Sequence, residues 1–318
     1  MIEADAPLEP RLFPLRQILN QSKDRQLTEI TLMNDQIEVT VAPDFGARVT
    51  RLVDRRTGRD WMAPGGQSAQ TGADAVYGLA EAVGWDECFP TVGRCDATGT
   101  VWGRTLRDHG DLWGRPFAVV EQRADLLMLE YASEQFRFVR TLRLDGATLH
   151  VDYQIDNLTA EPMPYLWALH GLLAVRPGER IELPGVTQLT APYVSLQGAI
   201  IDLPLIHWPD TRAALGFDID IVQPQTAGFA AKMYAAVPHN ARARVGGLEI
   251  AWSGEQMGHL GLWITYGGWP DVGGEHHLAI EPTNASVGDL ADGLGQVTPI
   301  APFGHHRFAV QFNISPTE

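Results

Sequence analysis

Apolar and polar residues alternate with a period of two along most of the chain. From Glu29 onward the alternation recurs in short runs such as QIEVTV, FRFVRTLRLD and TLHVDYQID, and again near the C-terminus in HLGLWITY and HRFAVQFNI. Successive side chains of a β-strand point to opposite faces, so these runs predict strands with one buried face. Turns rich in Gly, Asp, Asn and Pro separate them. The pattern indicates an all-β protein built as a large antiparallel β-sandwich with few short helices.

Two segments depart from this alternation. Residues 1–28 are rich in Pro, Gln and charge, which predicts an N-terminal extension in which RLFPLRQILNQ forms one short amphipathic helix. The stretch from Ala63 to Leu112 is rich in Gly and Trp, which predicts long ordered loops with small strands, and long loops on a β scaffold often carry function. Because no linker or charge block interrupts the remainder, we expect residues 29–318 to form a single domain.

Composition narrows the range of partners. The 318 residues are 45% hydrophobic, enough for a large core, and the formal net charge is -15. Such a charge disfavours nucleic acid, whose phosphates need clustered Lys and Arg. A neutral small molecule fits better. The scattered residues Arg94, Arg104 and Arg107 leave an acidic or phosphorylated ligand as an open alternative.

Cysteine and histidine usage gives little support for a metal or a disulfide framework. Cys88 and Cys95 are the only cysteines, and we expect both to be free thiols in a cytoplasmic protein. The adjacent histidines at 276–277 and 305–306 point to opposite faces of their strands, so each pair would offer at most one metal ligand. No apolar run is long enough to span a membrane, and no Gly-rich phosphate loop or GxSxG motif occurs. We therefore predict no metal, no cofactor and no membrane partner.

Three segments place an ionisable side chain beside strand-like apolar residues. They are RDHGDLW at 107–113 with His109, LWALHGLLAV at 166–175 with His170, and HLAIEPTNAS at 277–286 with Glu281. Glu281 precedes Pro282, where we expect the strand to end. A carboxylate that accepts a hydroxyl proton and an imidazole that delivers one would form a proton-shuttling site. Each residue also has a structural interpretation, the histidines as satisfied core residues and the glutamate as a solvated turn residue.

These segments, taken in order, resemble the aldose 1-epimerases of the galactose mutarotase-like superfamily. GWDECFPTVG is similar to that family's early active-site loop, DHG to its first histidine motif, WALHGLLAV to its second, and HLAIEPTNAS to the strand with its catalytic glutamate. The resemblance runs from about Leu32 to Asn313. It implies that Glu281 is the general base at the anomeric hydroxyl, that His170 is the general acid at the ring oxygen, and that His109 binds the sugar.

The resemblance also suggests further sugar-binding residues. Asp86 and Trp85 lie in the early loop motif, and Asp210 and Asp218 are candidates for the family's sugar-binding aspartate, with Asp220 as an alternative to the latter. Among the nine tryptophans, Trp85, Trp113, Trp208 and Trp269 are predicted in loops, where a flat indole would suit a pyranose, and Trp167, Trp252 and Trp263 are predicted in the core. One departure from the family is Gly171-Leu172-Leu173, which replaces its aromatic-Phe-Asn sequence and leaves the sugar undefined.

The sequence thus predicts a cofactor-free isomerase that interconverts the anomers of a free sugar, acting as a monomer or homodimer. Two alternatives stay open. One is a non-catalytic sugar-binding protein on the same fold. The other is a different carbohydrate-active enzyme, a lyase or an epimerase of an acidic or phosphorylated sugar, for which arginines would have to converge on the cleft.

Overall fold

The computed structural model describes residues 28–64, 76–78 and 83–315, and β-strands dominate these ranges. Within these ranges, helix is limited to α1 (Arg212–Leu215), α2 (Leu290–Gly293) and one 3₁₀ turn (Gln225–Ala227). The strands are β1 Ile30–Met33, β2 Ile37–Ala42, β3 Arg48–Asp54, β4 Arg59–Asp60, β5 Trp85–Cys88, β6 Cys95–Asp96, β7 Thr105–Leu106, β8 Ala118–Gln122, β9 Leu126–Ala132, β10 Phe136–Asp145, β11 Thr148–Asn157, β12 Ala168–Leu173, β13 Ile181–Glu182, β14 Gln188–Leu196, β15 Ala199–Ile200, β16 Leu205–His207, β17 Phe229–Ala236, β18 Asn240–Val245, β19 Leu248–Ser253, β20 His259–Tyr266, β21 His276–Thr283 and β22 His305–Ile314.

Two large antiparallel sheets face each other. The first, which we call the cleft sheet, has the order β1-β2-β3-β5-β12-β21-β20-β17-β14-β15, with β4 and β16 paired at its sides. The second, the outer sheet, has the order β13-β18-β19-β22-β11-β10-β9-β8. Apolar side chains from both sheets fill one continuous core between them. The predicted all-β sandwich with few short helices is confirmed.

The burial of individual strands shows which sheet carries the site. Side chains of β10 alternate between buried and half-buried, as expected for a strand with one face on the core and one towards solvent. In β12 every residue is buried, and β21 is buried from His277 onward. One face of these central strands packs against the outer sheet, and the other forms the floor of a cleft.

The prediction that the strand ends at Glu281 is wrong, because β21 continues through Pro282 to Thr283. Proline has no N–H to donate, so it is tolerated only where the ladder does not need one. Pro282 pairs with Leu260 of β20. On its other side, β21 pairs with β12 at Thr283 (with Ala168) and next at Ala279 (with Leu172). Pro282 lies between these two pairs, in a stretch where the ladder to β12 is interrupted.

The N-terminal extension and its predicted helix, RLFPLRQILNQ, lie outside the described residues. In the ranges that are described, no helix has the length and apolar character needed to cross a membrane.

Candidate active site

A single row of side chains crosses five neighbouring strands on the cleft face. Register pairs Asp86 of β5 with His170 of β12, and Glu281 of β21 with Gly261 of β20. The β12–β21 pairs Ala168–Thr283 and Leu172–Ala279 have the same register, which places His170 across from Glu281. Tyr234 of β17 completes the row opposite Gly261. Directly opposed residues have Cβ atoms about 5 Å apart, so the acid and base candidates are close neighbours.

Glu281 is 1% exposed and forms an ion pair with Lys232 of β17 through its Oε2 atom. The other carboxylate oxygen, Oε1, is buried and has no hydrogen-bond partner among the described residues. A buried acceptor without a partner is costly, so such an atom often marks a functional position. Since Glu281 lines the cleft, Oε1 is the carboxylate oxygen left for a ligand.

Gly261 makes the contact between Glu281 and Lys232 possible. It lies on β20, between the two strands that carry the charged residues, and a Cβ at this position would lie 2.8 Å from Glu281 Oε2. Any larger residue would therefore push the carboxylate aside. Burial acts to lower the pKa of Lys232, but the charge of Glu281 and the proximity of Tyr234 outweigh it and hold that pKa above its ordinary value. Lys232 is thus a stable cation beside the carboxylate.

His170 is oriented by Asp86. Its Nδ1 lies 2.9 Å from Asp86 Oδ1, and Arg48 donates a 2.7 Å hydrogen bond to the other carboxylate oxygen. Burial works against ionisation of Asp86, but the charge of Arg48 and the hydrogen bond with His170 outweigh it and lower its pKa to about 2. An ionised carboxylate can only accept hydrogen bonds, so His170 Nδ1 carries a proton and donates it in a hydrogen bond to Asp86. Nε2 is then the ring nitrogen that faces a ligand.

His109 forms the wall of the cleft next to His170. The two imidazole centroids are 4.8 Å apart, and Tyr77 stacks on His109 at 3.6 Å. His109 Nδ1 lies 3.2 Å from the Asp108 carboxylate without the alignment of a hydrogen bond. Burial lowers the pKa of His109, with Asp108 opposing the shift only in part. His109 is therefore neutral near pH 7 and suited to hydrogen bonding with a ligand.

The backbone conformation and close packing at Gly110 explain why the DHG motif contains a glycine. His109 has a φ of 58°, in the left-handed region that His tolerates better than most residues. Gly110 follows with a φ of 73°, and a Cβ there would lie 2.1 Å from the carbonyl oxygen of Phe89. Only glycine fits this close approach, which aims His109 into the cleft.

The cleft has a volume of about 460 Å³, within the range of small-molecule sites. Besides the charged and imidazole groups already described, its walls are aromatic. The aromatic lining residues are Tyr77, Tyr193, Tyr234, Trp263 and Trp269. Flat rings beside a few directed polar groups suit a ligand with both apolar faces and hydroxyls.

A larger depression, of about 520 Å³, lies on the solvent side of the outer sheet. Glu249 lines it and pairs with Arg244 and Arg242 at the surface. None of the residues that line it has a buried side-chain carboxylate or imidazole, so we place the chemistry in the cleft.

Several predicted sugar-binding residues lie elsewhere. Trp85 is not a loop residue but the first residue of β5, and its indole is fully buried on the core side, where it contacts Phe312 and donates to Glu87. The loop prediction fails because the Gly-rich flank of the segment masks a short strand. Trp113 is also fully buried, behind the cleft wall, in edge contact with Tyr77 at 5.1 Å.

Neither Asp210 nor Asp218 lines the cleft. Asp210 is exposed, and Asp218 is half-buried and paired with Arg212; the alternative, Asp220, pairs with Arg180. The hydrogen bond from Arg212 lowers the pKa of Asp218, as expected for a surface ion pair. Asp86, in contrast, lies in the row itself and acts on His170 rather than on the open cleft.

Sequence reasoning missed Lys232, Tyr234, Tyr77 and His277, and it placed Trp263 in the core although the residue lines the cleft. One signal was present. Lys232 is a lone charge in the apolar run FAAKMYAA, and a charge in such a position needs a partner.

The arrangement fits a metal poorly. Cys88 Sγ and ring nitrogens of His109 and His170 lie within 4.8 Å of one another. A zinc ion at these three groups would bind Cys88 as its thiolate. Burial and the neighbouring carboxylates Asp86 and Glu281 raise the pKa of the Cys88 thiol far above its ordinary value, which disfavours that thiolate.

The fold and site define a β-sandwich protein with a buried carboxylate and imidazole groups on the open face of one sheet. No protein family model and no curated protein matches the chain. Solved structures do match. A Synechocystis sp. PCC 6803 protein is 19% identical, with 95% of this chain and 100% of that chain covered and a TM-score of 0.65.

Two further solved structures have descriptive names. A galactose mutarotase related enzyme from Lactobacillus acidophilus is 16% identical, covering 91% of this chain and 98% of that chain, with a TM-score of 0.60. A galactose mutarotase-like protein from Clostridium acetobutylicum is 14% identical, covering 92% and 99%, with a TM-score of 0.59. The chain therefore has the galactose mutarotase-like fold, as its motifs predicted.

Proposed function

We propose that this protein interconverts the α and β anomers of a free sugar by general acid/base catalysis. The observation that carries the proposal is the buried Oε1 of Glu281, which no described residue partners and which lies in register with His170, whose Nδ1 contacts Asp86. A proton acceptor and a proton donor thus lie one strand apart on the floor of a sugar-sized cleft. Fold likeness by itself would support only the architecture.

In the proposed reaction, Glu281 Oε1 takes the proton of the anomeric hydroxyl while His170 delivers the proton on its Nε2 to the ring oxygen. The C1–O5 bond breaks, and C1 becomes an aldehyde carbon. Rotation about C1–C2 presents the other carbonyl face, and reclosure returns both protons. Asp86 stabilises the imidazolium form of His170, as a buried carboxylate does in other acid/base dyads. Neutral His109 donates or accepts a hydrogen bond at a sugar hydroxyl.

Charge in the cleft supports a neutral substrate. Among the described residues that line it, Lys232 is the one Lys or Arg, and its charge is matched by Glu281. The three arginines that an acidic or phosphorylated sugar would need do not line the cleft. Arg94 is exposed, Arg104 pairs with Asp111, and Arg107 donates to the backbone carbonyl of Trp113. A lyase or an epimerase that acts on an acidic or phosphorylated sugar is accordingly less well supported than an enzyme of a neutral sugar.

A non-catalytic sugar-binding protein is the alternative that one observation favours. The ion pair with Lys232 engages one oxygen of Glu281, and a salt bridge that served only to hold the cleft together would need no proton transfer. Both functions use the same cleft, so a measurement of turnover has to separate them.

The test is anomer exchange, followed by polarimetry and by exchange NMR on freshly dissolved aldoses. We expect catalysis by the wild type and a loss of about a hundredfold or more in Glu281→Gln, the typical size of a general acid/base contribution. Glu249→Gln, on the outer sheet, is the matched control and should retain activity. Equal rates in wild type and Glu281→Gln would refute the role of Glu281, and binding without exchange would favour the sugar-binding protein.

Location and assembly complete the proposal. Cys88 and Cys95 are both free and buried, which supports the reducing cytoplasm as the compartment. A monomer or homodimer remains our proposal for the assembly, with a small carbohydrate as the partner.

A further inference from the structure

The row of Asp86, His170, Glu281, Gly261 and Tyr234 is called the acid/base row below. A second row of side chains lies beside it on the cleft floor. Its members, in register across five strands, are Leu172, Ala279, Trp263, Lys232 and Tyr193. The two rows are two residues apart along each strand, which is about 7 Å. Ala279 is fully buried in a small apolar cluster with Leu172, and Trp263 and Trp269 pack against that cluster. The floor therefore extends well past the atoms that carry the proposed chemistry.

Three aromatic residues at this end form what we call the aromatic shelf: Tyr193, Trp263 and Trp269. Tyr193 and Trp263 stack with their centroids 6.1 Å apart, and Trp269 packs edge-on against Trp263 at 5.8 Å. All three line the cleft and are only partly buried. Aromatic rings that served only to fill a core would be covered, as Trp85 is.

His277 adds a directed polar group to the shelf. The Trp263 indole N–H donates to His277 Nε2 at 3.1 Å. Burial lowers the pKa of His277 to about 3, so the ring is neutral at physiological pH. Because Nε2 accepts, the single ring proton must be on Nδ1.

The Nδ1–H group has no partner within the part of the chain that the structure describes, although the side chain is 2% exposed and lines the cleft. The Nδ1–H group is therefore available to donate to a ligand in the cleft. The shelf thus combines flat apolar rings with a fixed N–H donor. That combination matches a pyranose, which has an apolar C–H face and hydroxyls at its rim.

We propose that the aromatic shelf is a second sugar subsite, and that the protein takes the reducing end of a disaccharide or longer oligosaccharide. The inference rests on the proposed function. The reducing-end unit lies across His170 and Glu281, where its anomeric centre meets the acid and the base. The adjoining unit lies on Trp263 and Trp269, with a hydroxyl accepting from His277.

The experiment compares kcat/KM for anomer exchange of maltose, cellobiose and lactose with that of glucose and galactose. Trp269→Leu removes the flat ring but keeps apolar volume. Trp208→Leu is the matched control, since Trp208 also precedes a proline but lies outside the cleft lining. We expect at least one disaccharide to exceed its monosaccharide by about tenfold, a difference that stacking interactions can supply. Trp269→Leu should lower kcat/KM for that disaccharide about tenfold more than for the monosaccharide, and Trp208→Leu should lower neither selectively.

Equal kcat/KM for disaccharides and monosaccharides in the wild type would overturn the subsite while leaving the proposed function intact. An equal loss for both sugars in Trp269→Leu would overturn it as well. If no sugar is exchanged, titration calorimetry of the wild type with cellobiose, maltose, lactose and glucose separates the two ideas. Tighter binding of a disaccharide, lost in Trp269→Leu, supports the subsite although catalysis fails, and binding without such a preference refutes it.

Discussion

Lys232→Met tests whether the charge of Lys232 stabilises the ionised form of Glu281. Met keeps the length of the side chain and removes the cation that contacts Glu281 Oε2. In the proposed mechanism Glu281 must be ionised to act as a base. A carboxylate that loses a neighbouring cation holds its proton more tightly, so the variant should need a higher pH to reach full activity.

The size of the effect follows from Coulomb's law. Two unit charges about 4 Å apart interact by about 4 kcal/mol at an effective dielectric constant of 20. The Lys232 side chain is 17% exposed, so we discount this for solvent screening to about 2 kcal/mol. At about 1.4 kcal/mol per pH unit, the acid limb of the pH–rate profile should move upward by roughly 1.5 units.

The assay is kcat/KM for anomer exchange between pH 4 and pH 9, with melting temperatures measured alongside because removal of one member of a buried pair also destabilises the fold. Lys232→Arg restores the charge and should bring the acid limb back towards its wild-type position. A purely structural role for Lys232 would lower the rate at every pH without moving the limb. Coincident acid limbs for wild type and Lys232→Met would refute the reasoning.

Two further predictions concern neighbouring residues. Burial lowers the pKa of His277 to about 3, against about 6.5 in an unfolded chain, so its contribution to stability is complete above pH 6.5 and is lost as the pH falls towards 3. Between pH 6.5 and pH 5 the free energy of unfolding of the wild type should fall by about 2 kcal/mol more than that of His277→Gln, measured by urea denaturation, and parallel curves would contradict this. Gly261→Ala would place a methyl group 2.8 Å from Glu281 Oε2, so exchange should fall by about tenfold or more, since small misplacements of a catalytic group are costly. Gly258→Ala, whose added Cβ would meet nothing closer than 3.4 Å, is the control, and equal activity in the two variants would show that the carboxylate tolerates displacement.

The sequence predicts the sandwich well because the local alternation of apolar and polar residues identifies most strands. FRFVRTLRLD and TLHVDYQIDN became β10 and β11, paired along their whole length. Small strands were predicted within the loop-rich stretch, but alternation could not give their positions. WDEC is bracketed by Gly and Pro, yet it is a central strand, because neighbours on both sides supply its hydrogen bonds.

The acid/base row was only partly predictable. Motifs point to His109, His170 and Glu281, but nothing near Lys232 in the chain indicates that it pairs with a residue 49 positions later. That contact depends on the order of β17, β20 and β21 and on the absence of a side chain at Gly261. Trp263 illustrates the same limit, because alternation identifies its strand but cannot say which face of the sheet meets the cleft.

The site and the core occupy opposite faces of the same strands, and this fixes the register of the row that contains Asp86, His170 and Glu281. Asp86 faces the cleft, while its neighbour Glu87 faces the core and is held by Arg140, Tyr153 and Trp167. A slip of one residue in β5 would bury Asp86 among these apolar rings and turn Glu87 into the cleft. The buried network on one face therefore keeps Asp86 aligned with His170 on the other, so that packing remote from the ligand sets the geometry of the proposed proton transfer.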